Sequence, residues 1–235
     1  KNCDEDGSPD GFTNFNLSEA NSFITSNPSD IVNYFLTYSD ADSGIISPIN
    51  PSPFNNLTSN TVYAKVENEF GCYRIATVNL AVTISSLPPD YFYEIIACDN
   101  DDMNDGYKVL DLTKATEKIK EELNLNSSLT FHYYKSFDDA HLEKNEIHPQ
   151  NAYKNESKYE EDLFIRIENN GNCYGIGKHL KLRINPIPEF EVKPEDILCR
   201  NTPPTILEPL NPKGNYTYEW FYEDCEAENS RHPIK

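Results

Sequence analysis

Two acidic runs in this chain could hold a divalent cation. The first, CDEDGSPDGF, covers Cys3 to Phe12, and the second, CDNDDMNDGY, covers Cys98 to Tyr107. Each run has aspartates at relative positions 1, 3 and 7 after its cysteine, and a glycine follows the last of them. Carboxylate oxygens at this spacing resemble the ligands of a calcium loop. The predicted calcium ligands are Asp4, Asp6, Asp10, Asp99, Asp101 and Asp105.

The match to an EF-hand loop is incomplete, because position 12 is Phe15 or Leu110 where an EF-hand has a bidentate glutamate. Any ion would therefore need further ligands from the same repeat. Acidic candidates occur in a strand end shared by both copies and in the mid-repeat loops: Glu67, Glu168, Asp40, Asp42, Asp138 and Asp139. The alternative is that the aspartates form tight turns and accept hydrogen bonds from backbone N–H groups. The sequence leaves both interpretations open.

The acidic runs belong to a longer internal repeat. Val66-Glu67-Asn68 corresponds to Ile167-Glu168-Asn169, and Cys72-Tyr73 corresponds to Cys173-Tyr174. A repeat of roughly 95 residues has the size of a small domain with its own core. We therefore predict one repeat over 1–88, a second over 89–188, and the start of a third, incomplete one over 189–235.

The six cysteines predict disulfide bonds. None is part of a Cys-x-x-Cys pair, so a structural zinc site is not indicated. Each full repeat has two cysteines, and the expected bonds are Cys3 to Cys72 and Cys98 to Cys173, with free buried thiols as the alternative. Cys199 and Cys225 could pair in the third repeat, although its missing remainder could hold another partner. Disulfides imply an oxidising compartment.

Alternating apolar residues predict an antiparallel β-sandwich with all-β tandem modules. Residues 62–67 and 163–168 alternate with a period of two, as do the last predicted strands at 80–84 and 180–184. Prolines after these last strands indicate short linkers. One helix is predicted from Thr113, its expected cap, to Leu123.

Composition and motifs exclude several functions. A net charge of −19 argues against nucleic-acid binding, and no apolar run is long enough to span a membrane. No catalytic motif occurs, so an enzyme is not expected. His132, His141 and His148 lie close in sequence but are interpreted as surface residues. Because the chain opens on Lys1, we expect a piece of a longer protein.

The repeats combine Cys-Asp-x-Asp, then Asp-Gly-aromatic and Leu-Ser/Thr, a tyrosine-rich strand that ends in residues 38–42 and 134–138, then Val-Glu-Asn before Gly-Cys-Tyr in the first repeat, and Asn-Pro-x-Pro. This pattern resembles the repeats of large Bacteroidetes surface proteins, the gliding-motility adhesin-like proteins exported by the type IX secretion system. It implies immunoglobulin-like modules in a secreted, cell-surface rod. The third repeat, with Trp220, is similar to immunoglobulin-like or PKD-like domains.

Two functions remain open at this point. In the first, the modules are non-enzymatic spacers of an adhesin or stalk, locked by disulfides and stiffened by calcium, and their partners are neighbouring modules of the same chain. In the second, a module itself binds a surface glycan or a protein through exposed aromatic residues. The aromatic candidates are Tyr91, Phe92, Tyr93, Tyr133 and Tyr134. Burial of these rings in a core would argue against the second function.

Overall fold

The structure is a computed structural model in which two similar β-rich repeats follow one another. It describes residues 1–5, 10–88, 90–101, 103–189, 191, 209–210 and 217–219, together with the backbone of 221–223 and 231–233. Most of the described regular structure is β-strand. The predicted all-β class with tandem repeats is confirmed.

The first repeat is built from short strands around two short helices. In chain order these elements are β1 (Asn2–Asp4), β2 (Asn14–Phe15), α1 (Asn21–Ile24), β3 (Ile31–Phe35), α2 (Tyr38–Ser43), β4 (Phe54–Asn55), β5 (Thr61–Glu67), β6 (Tyr73–Asn79) and β7 (Val82–Ile84). A 3₁₀ turn at Leu17–Ala20 precedes α1. The strands pair as β3-β5-β6, β2-β4 and β1-β7.

The second repeat has the same order of elements with longer strands. They are β8 (Tyr93–Asp99), β9 (Val109–Leu110), α3 (Thr113–Glu122), β10 (Thr130–Tyr134), α4 (Phe137–Leu142), β11 (Tyr153–Lys154), β12 (Glu160–Asn169) and β13 (Asn172–Pro186). Its main sheet has the order β10-β12-β13-β8, and β9 pairs with β11. The single strand β13 takes the place of β6 and β7 in the first repeat.

Each repeat has one parallel strand pair in an otherwise antiparallel arrangement. β1 runs parallel to β7, with Cys3 opposite Thr83, and β8 runs parallel to β13, with Cys98 opposite Asn185. The remaining pairs of the two repeats are antiparallel. The sequence pattern predicted only antiparallel pairing, since alternation reports burial and not the direction of the neighbouring strand.

Each repeat has its own hydrophobic core. In the first repeat the buried cluster includes Tyr34, Val62 and Ala64, and in the second it includes Tyr133 and Leu163. The two tyrosines occupy matching places, because the Tyr34 hydroxyl donates to Leu17 O over 2.6 Å and the Tyr133 hydroxyl donates to Leu112 O over 3.1 Å. Burial raises the pKa of each tyrosine to about 12. Because the two cores are separate, the contact between the repeats is made by other residues.

Helix α3 forms where the apolar spacing predicted it. Ala115 and Ile119 are buried on its inner face. Thr113 is the first helical residue, so the expectation that it caps the helix was wrong. Leu112 precedes the helix and makes no side-chain cap bond. Asp111 Oδ1 accepts from the Thr113 N–H over 3.0 Å and from the Thr113 hydroxyl over 2.6 Å, and it thereby satisfies one N–H of the first turn.

Of the predicted third repeat, the described backbone forms one antiparallel pair, β14 (Phe221–Glu223) with β15 (Arg231–Pro233). Cys199, Trp220 and Cys225 lie outside the described residues.

Candidate functional site: the contact between repeats and the acidic loops

A disulfide bond joins the two repeats. Cys3 on β1 bonds to Cys173 near the start of β13, with Cα atoms 5.5 Å apart and 170 residues between them in sequence. This Cα separation lies in the middle of the usual range for disulfides. The bond is buried in an apolar cluster that contains Tyr134, Ala140 and Ile176 of the second repeat. The contact between the repeats is therefore covalent at its centre.

The predicted pairing within each repeat is wrong for geometric reasons. Cys98 lies opposite Asn185 on β13, and Cys173 lies twelve residues earlier on that same strand. At about 3.3 Å per residue, the two cysteines are separated by roughly 40 Å. A disulfide requires Cα atoms less than about 7 Å apart. In the first repeat Cys3 and Cys72 are kept apart in the same way, since Cys3 lies opposite Thr83.

Cys72 and Cys98 have free, exposed thiols. Cys72 precedes β6 at the end of the β5–β6 hairpin, which is the place that Cys173 takes in the second repeat. Cys98 is the penultimate residue of β8, and Cys3 is the penultimate residue of β1. The repeats thus have the same two cysteine positions, and the observed bond joins the first position of one repeat to the second position of the next.

Asn2 connects the repeats through all of its side-chain polar atoms. Its Nδ2 donates to Asn14 O over 2.7 Å and to His141 O over 3.0 Å. Its Oδ1 accepts from the Cys3 N–H over 3.0 Å and from Arg166 Nη1 over 2.8 Å. Because Asn2 is almost completely buried, these bonds replace the water that it loses. Asn2 belongs to no motif that the sequence shows, so its role could not be predicted from the sequence.

Arg166 is a buried cation at this contact, with 1% of its surface exposed. Its Nη2 lies 2.6 Å from Glu143 Oε1, and its Nε lies 2.6 Å from Glu168 Oε1. Burial raises the pKa of Glu143, and the positive charge of Arg166 opposes that rise. A buried ion group of this kind depends on every partner being present.

His141 is also part of the contact between repeats. It is buried, and its Nε2 lies 2.7 Å from Thr13 Oγ1 of the first repeat. The expectation of a surface histidine was wrong here, because helix α4 turns His141 toward the first repeat. His132 and His148 lie elsewhere, on either side of Glu146, at 2.9 and 3.2 Å from its carboxylate.

The linker between the repeats lies directly against β13. The Ser86 N–H donates to Tyr174 O over 2.9 Å, and Thr83 Oγ1 donates to Cys173 O over 3.0 Å. At Gly175 a Cβ atom would come within 2.7 Å of Leu87 and of Ser85 Oγ. A glycine at this position permits the close approach of the linker.

The described residues of the two acidic runs make the same hydrogen bonds in both repeats. Asp4 Oδ2 accepts from the Gly11 N–H over 2.7 Å, and Asp99 Oδ2 accepts from the Gly106 N–H over 2.6 Å. Both glycines have φ near +80°, which favours glycine. Asp10 accepts from the Phe12 N–H and Asp105 from the Tyr107 N–H, at 2.9 and 3.0 Å. The turn interpretation therefore describes part of what these aspartates do.

In the second repeat the acidic run also brings three carboxylates together. One oxygen each of Asp99, Asp101 and Asp105 lie within 4.8 Å of one another. Among the described residues, these three carboxylates are the side chains whose spacing could hold a metal ion. Asp6 of the first repeat lies outside the described residues.

The other acidic residues considered as calcium ligands have other partners. Glu168 binds Arg166, and Glu67 lies 3.8 Å from Lys65. Asp40 and Asp139 accept hydrogen bonds at the first turns of α2 and α4, from Thr37 and Ser136. Asp42 accepts from the Tyr73 hydroxyl over 2.9 Å. Asp138 lies in the first turn of α4. None of the six belongs to the carboxylate group of the acidic loop.

Two buried asparagines hold the acidic turns in place and were missed by the sequence analysis. Asn155 Oδ1 accepts from the Lys108 N–H over 2.6 Å, and its Nδ2 donates to Gly106 O over 2.9 Å. Asn56 makes the same pair of bonds to Thr13 and Gly11, at 2.7 and 3.1 Å. Their matching places in the two copies, each in an Asn-x-Ser/Thr triplet, were the available signal.

The aromatic candidates do not form one exposed surface. Tyr133 and Tyr134 are buried, and Tyr91 and Tyr93 pack against the core of the second repeat. Phe92 is exposed. A flat platform for a sugar ring would need several rings exposed on one face, so the ligand-binding interpretation loses four of its five residues.

These features define a class of protein with tandem β-rich modules joined by an inter-repeat disulfide. The chain belongs to the Flavobacterium inter-domain disulphide bond domain family, which matches residues 1–88 and again residues 94–188. This agrees with the Bacteroidetes origin that the sequence pattern implied. Comparison with curated proteins gave no match.

The compartment follows from the disulfide and the family. Disulfides form and persist in oxidising environments, so the chain is of the secreted type. Among the described residues, no helix has both the length and the apolar character needed to cross a membrane.

Proposed function

We propose that this chain is a non-enzymatic segment of a long cell-surface adhesin or stalk, in which disulfides hold successive repeats in a fixed line. The observation that carries this proposal is the bond between Cys3 and Cys173. A disulfide can stabilise any folded chain, but one that joins two domains also fixes their relative position. A rod that transmits force benefits from this, because a second covalent connection limits bending at each joint.

The joint between the repeats has two covalent connections. One is the linker that follows β7, and the other is the disulfide between β1 and β13. Between them lie the buried hydrogen bonds of Asn2 and the contact of Thr13 with His141. Two connections with a buried contact between them resist rotation of one repeat against the other, which a flexible linker alone would allow.

The same connection can extend to both neighbours. Cys98 takes the position of Cys3, and we propose that it bonds to the hairpin cysteine of a following repeat. Cys72 takes the position of Cys173, and we propose that it bonds to the first-strand cysteine of a preceding repeat. Both thiols are exposed, as this arrangement requires.

The first repeat also resembles the second in the surface beside its hairpin cysteine. Tyr38 begins α2 as Phe137 begins α4, and Phe137 packs against the cluster around the disulfide. Tyr38 is exposed in the first repeat. Lys65 lies beside Glu67 as Arg166 lies beside Glu168. An aromatic ring and a cation are thus present where a preceding repeat would bind.

The adhesive role and the export route rest on the resemblance to gliding-motility adhesin-like repeats. A rod of modules presents an adhesive end at a distance from the cell, and it must survive shear once bound. The type IX secretion system is the export route that the resemblance implies. The family match to a Flavobacterium domain supports both proposals at the level of the bacterial group.

Disulfide mapping of the full-length secreted protein tests the covalent rod. Free thiols are alkylated first, and the protein is then digested without reduction and analysed by mass spectrometry. We expect a peptide that joins Cys3 to Cys173, and peptides that join Cys72 and Cys98 to cysteines of other repeats. Alkylated Cys72 or Cys98, or a bond between the two cysteines of one repeat, would disprove the continuous rod.

Adhesion under flow tests the function itself. Cells that carry Cys3→Ser with Cys173→Ser in the full-length protein should detach at lower shear than cells with Ile45→Ser, a change at an exposed position. Protein levels at the surface are measured by antibody labelling. Equal detachment at equal surface levels would rule out a mechanical role for the bond.

A further inference from the structure

We propose that Asp99, Asp101 and Asp105 bind a calcium ion at the end of the second repeat, next to the point where the chain leaves it. One oxygen from each carboxylate lies within 4.8 Å of the other two. Three carboxylates at this separation repel one another unless a cation lies among them. The donors are hard oxygens from one loop, without histidine or cysteine, which favours calcium over zinc or copper.

Asp99 gives an independent reason to expect a cation. The residue is completely buried, with 0% of its surface exposed. Its Oδ2 accepts from the Gly106 N–H, while its Oδ1 has no hydrogen-bond partner among the described residues. A buried carboxylate oxygen without a partner is costly in free energy. A bound cation would satisfy it.

Turn formation alone leaves these carboxylates only partly used. Asp105 Oδ1 accepts from the Tyr107 N–H, and Asp101 Oδ1 accepts from the Met103 N–H over 3.4 Å. Asp99 accepts from the Gly106 N–H, so each of the three carboxylates accepts one backbone hydrogen bond through one of its oxygens. These bonds fix the direction of each carboxylate before an ion arrives, so that binding costs less conformational entropy.

The first repeat has a buried aspartate in the same situation as Asp99. Asp4 is 7% exposed, its Oδ2 accepts from the Gly11 N–H, and its Oδ1 also lacks a partner within the described part of the chain. Counted over the described residues, the same buried oxygen thus lacks a partner in two copies that have diverged in sequence. A shared ligand explains both copies, whereas an isolated packing defect would explain only one.

The loop also contacts the segment that leads out of the second repeat. Asn104 Oδ1 accepts from the Ile187 N–H over 3.0 Å, and its Nδ2 donates to Ile187 O over 3.3 Å. Asn104 lies between Asp101 and Asp105 in the loop. An ion that fixes the loop would therefore also fix residues 187–189, and calcium would stiffen the joint that follows. This effect adds to the disulfide and does not depend on it.

Calorimetric titration of the 235-residue chain tests the site. The protein is freed of metal, titrated with CaCl₂ and, separately, with MgCl₂. We expect calcium to bind and to raise Tm by about 5 °C or more at a concentration one hundred times Kd. Asp101→Asn with Asp105→Asn should weaken this binding about tenfold or more, because the variant loses two charges but keeps the shape of both side chains.

The matched control is Glu117→Gln, which removes an exposed charge from α3 and should bind calcium as the unmodified chain does.

Hydrogen exchange gives a second measurement. Calcium should slow exchange at residues 100–107 and 187–189, and the double asparagine variant should not respond. An unchanged calorimetric and exchange response in that variant, or no calcium binding to the unmodified chain, would overturn the proposal. The disulfide map is the same in all these outcomes, so a failure here is separate from a failure of the proposed rod.

Discussion

Arg166 of the second repeat donates from Nη1 to Oδ1 of Asn2 in the first repeat over 2.8 Å, and both side chains are almost completely buried. The same guanidinium binds the carboxylates of Glu143 and Glu168. One cation therefore serves two carboxylates of its own repeat and an amide of the neighbouring repeat. The position of the first repeat is coupled in this way to a charged group inside the second.

Replacement of Arg166 by methionine should destabilise the chain strongly. Methionine has a similar volume, but it leaves Glu143 and Glu168 without their cation in a buried place. We expect a loss of about 3–5 kcal/mol in the free energy of unfolding, measured by urea denaturation followed by circular dichroism. Arg183→Met is the control, since Arg183 is 41% exposed and its ion pairs should be worth less than about 1 kcal/mol. Equal losses for the two variants would contradict the buried role of Arg166.

Removal of the inter-repeat disulfide should lower stability through the unfolded state. The bond closes a loop of 170 residues, and the chain-entropy model then gives a stabilisation of about 5 kcal/mol. Cys3→Ser with Cys173→Ser should lower the urea midpoint, and a reducing agent should have no further effect on this variant. Cys72→Ser with Cys98→Ser should leave the midpoint of the 235-residue chain unchanged. A lower urea midpoint for Cys72→Ser with Cys98→Ser, together with an unchanged midpoint for Cys3→Ser with Cys173→Ser, would show that the stabilising disulfide joins other cysteines.

Acid should destabilise the second repeat partly through His179. This side chain is buried, burial lowers its pKa below 6.5, and its Nδ1 lies 2.6 Å from Tyr91 O. As pH falls through about 6.5, the unfolded state takes up a proton that the folded state does not, and stability is lost. Urea midpoints at pH 7.5 and 5.5 should differ less in His179→Gln than in the unmodified chain.

The control for that experiment is His148→Gln, which changes an exposed histidine. Its midpoints should fall between pH 7.5 and 5.5 as much as those of the unmodified chain. If His179→Gln also behaves like the unmodified chain, then another group causes the loss in acid.

The two acidic turns offer a comparison of backbone strain with steric clash. Gly11 and Gly106 have φ of +82° and +83°, so alanine should cost about 1–2 kcal/mol at either position. At Gly106 a Cβ would also lie 2.9 Å from a Tyr159 ring atom, while at Gly11 no atom of the described residues lies within 4 Å. Gly106→Ala should therefore lower the thermal midpoint more than Gly11→Ala. The reverse order would show that the Tyr159 ring moves without cost.

The sequence by itself determined the repeats and four of the strands, which are β5, β7, β12 and β13. The alternation at residues 62–67 and 163–168 lies within β5 and β12, because a strand with one buried face needs apolar residues at every second position. It also indicated tight turns in the acidic runs as one of two interpretations, since Asp and Gly at fixed positions have local backbone consequences. These features depend on residues close together in the chain, and a second copy made them visible.

Only the tertiary structure decided which cysteines pair and which polar residues become buried. Cys98 and Cys173 belong to one repeat but lie at opposite ends of β13, whereas Cys3 and Cys173 meet because the repeats dock. Asn2 and Arg166 are ordinary polar residues in the sequence, and the docking buries them together. Distance along the chain does not report distance in space, because contacts between repeats depend on how two folded units pack and not on local pattern.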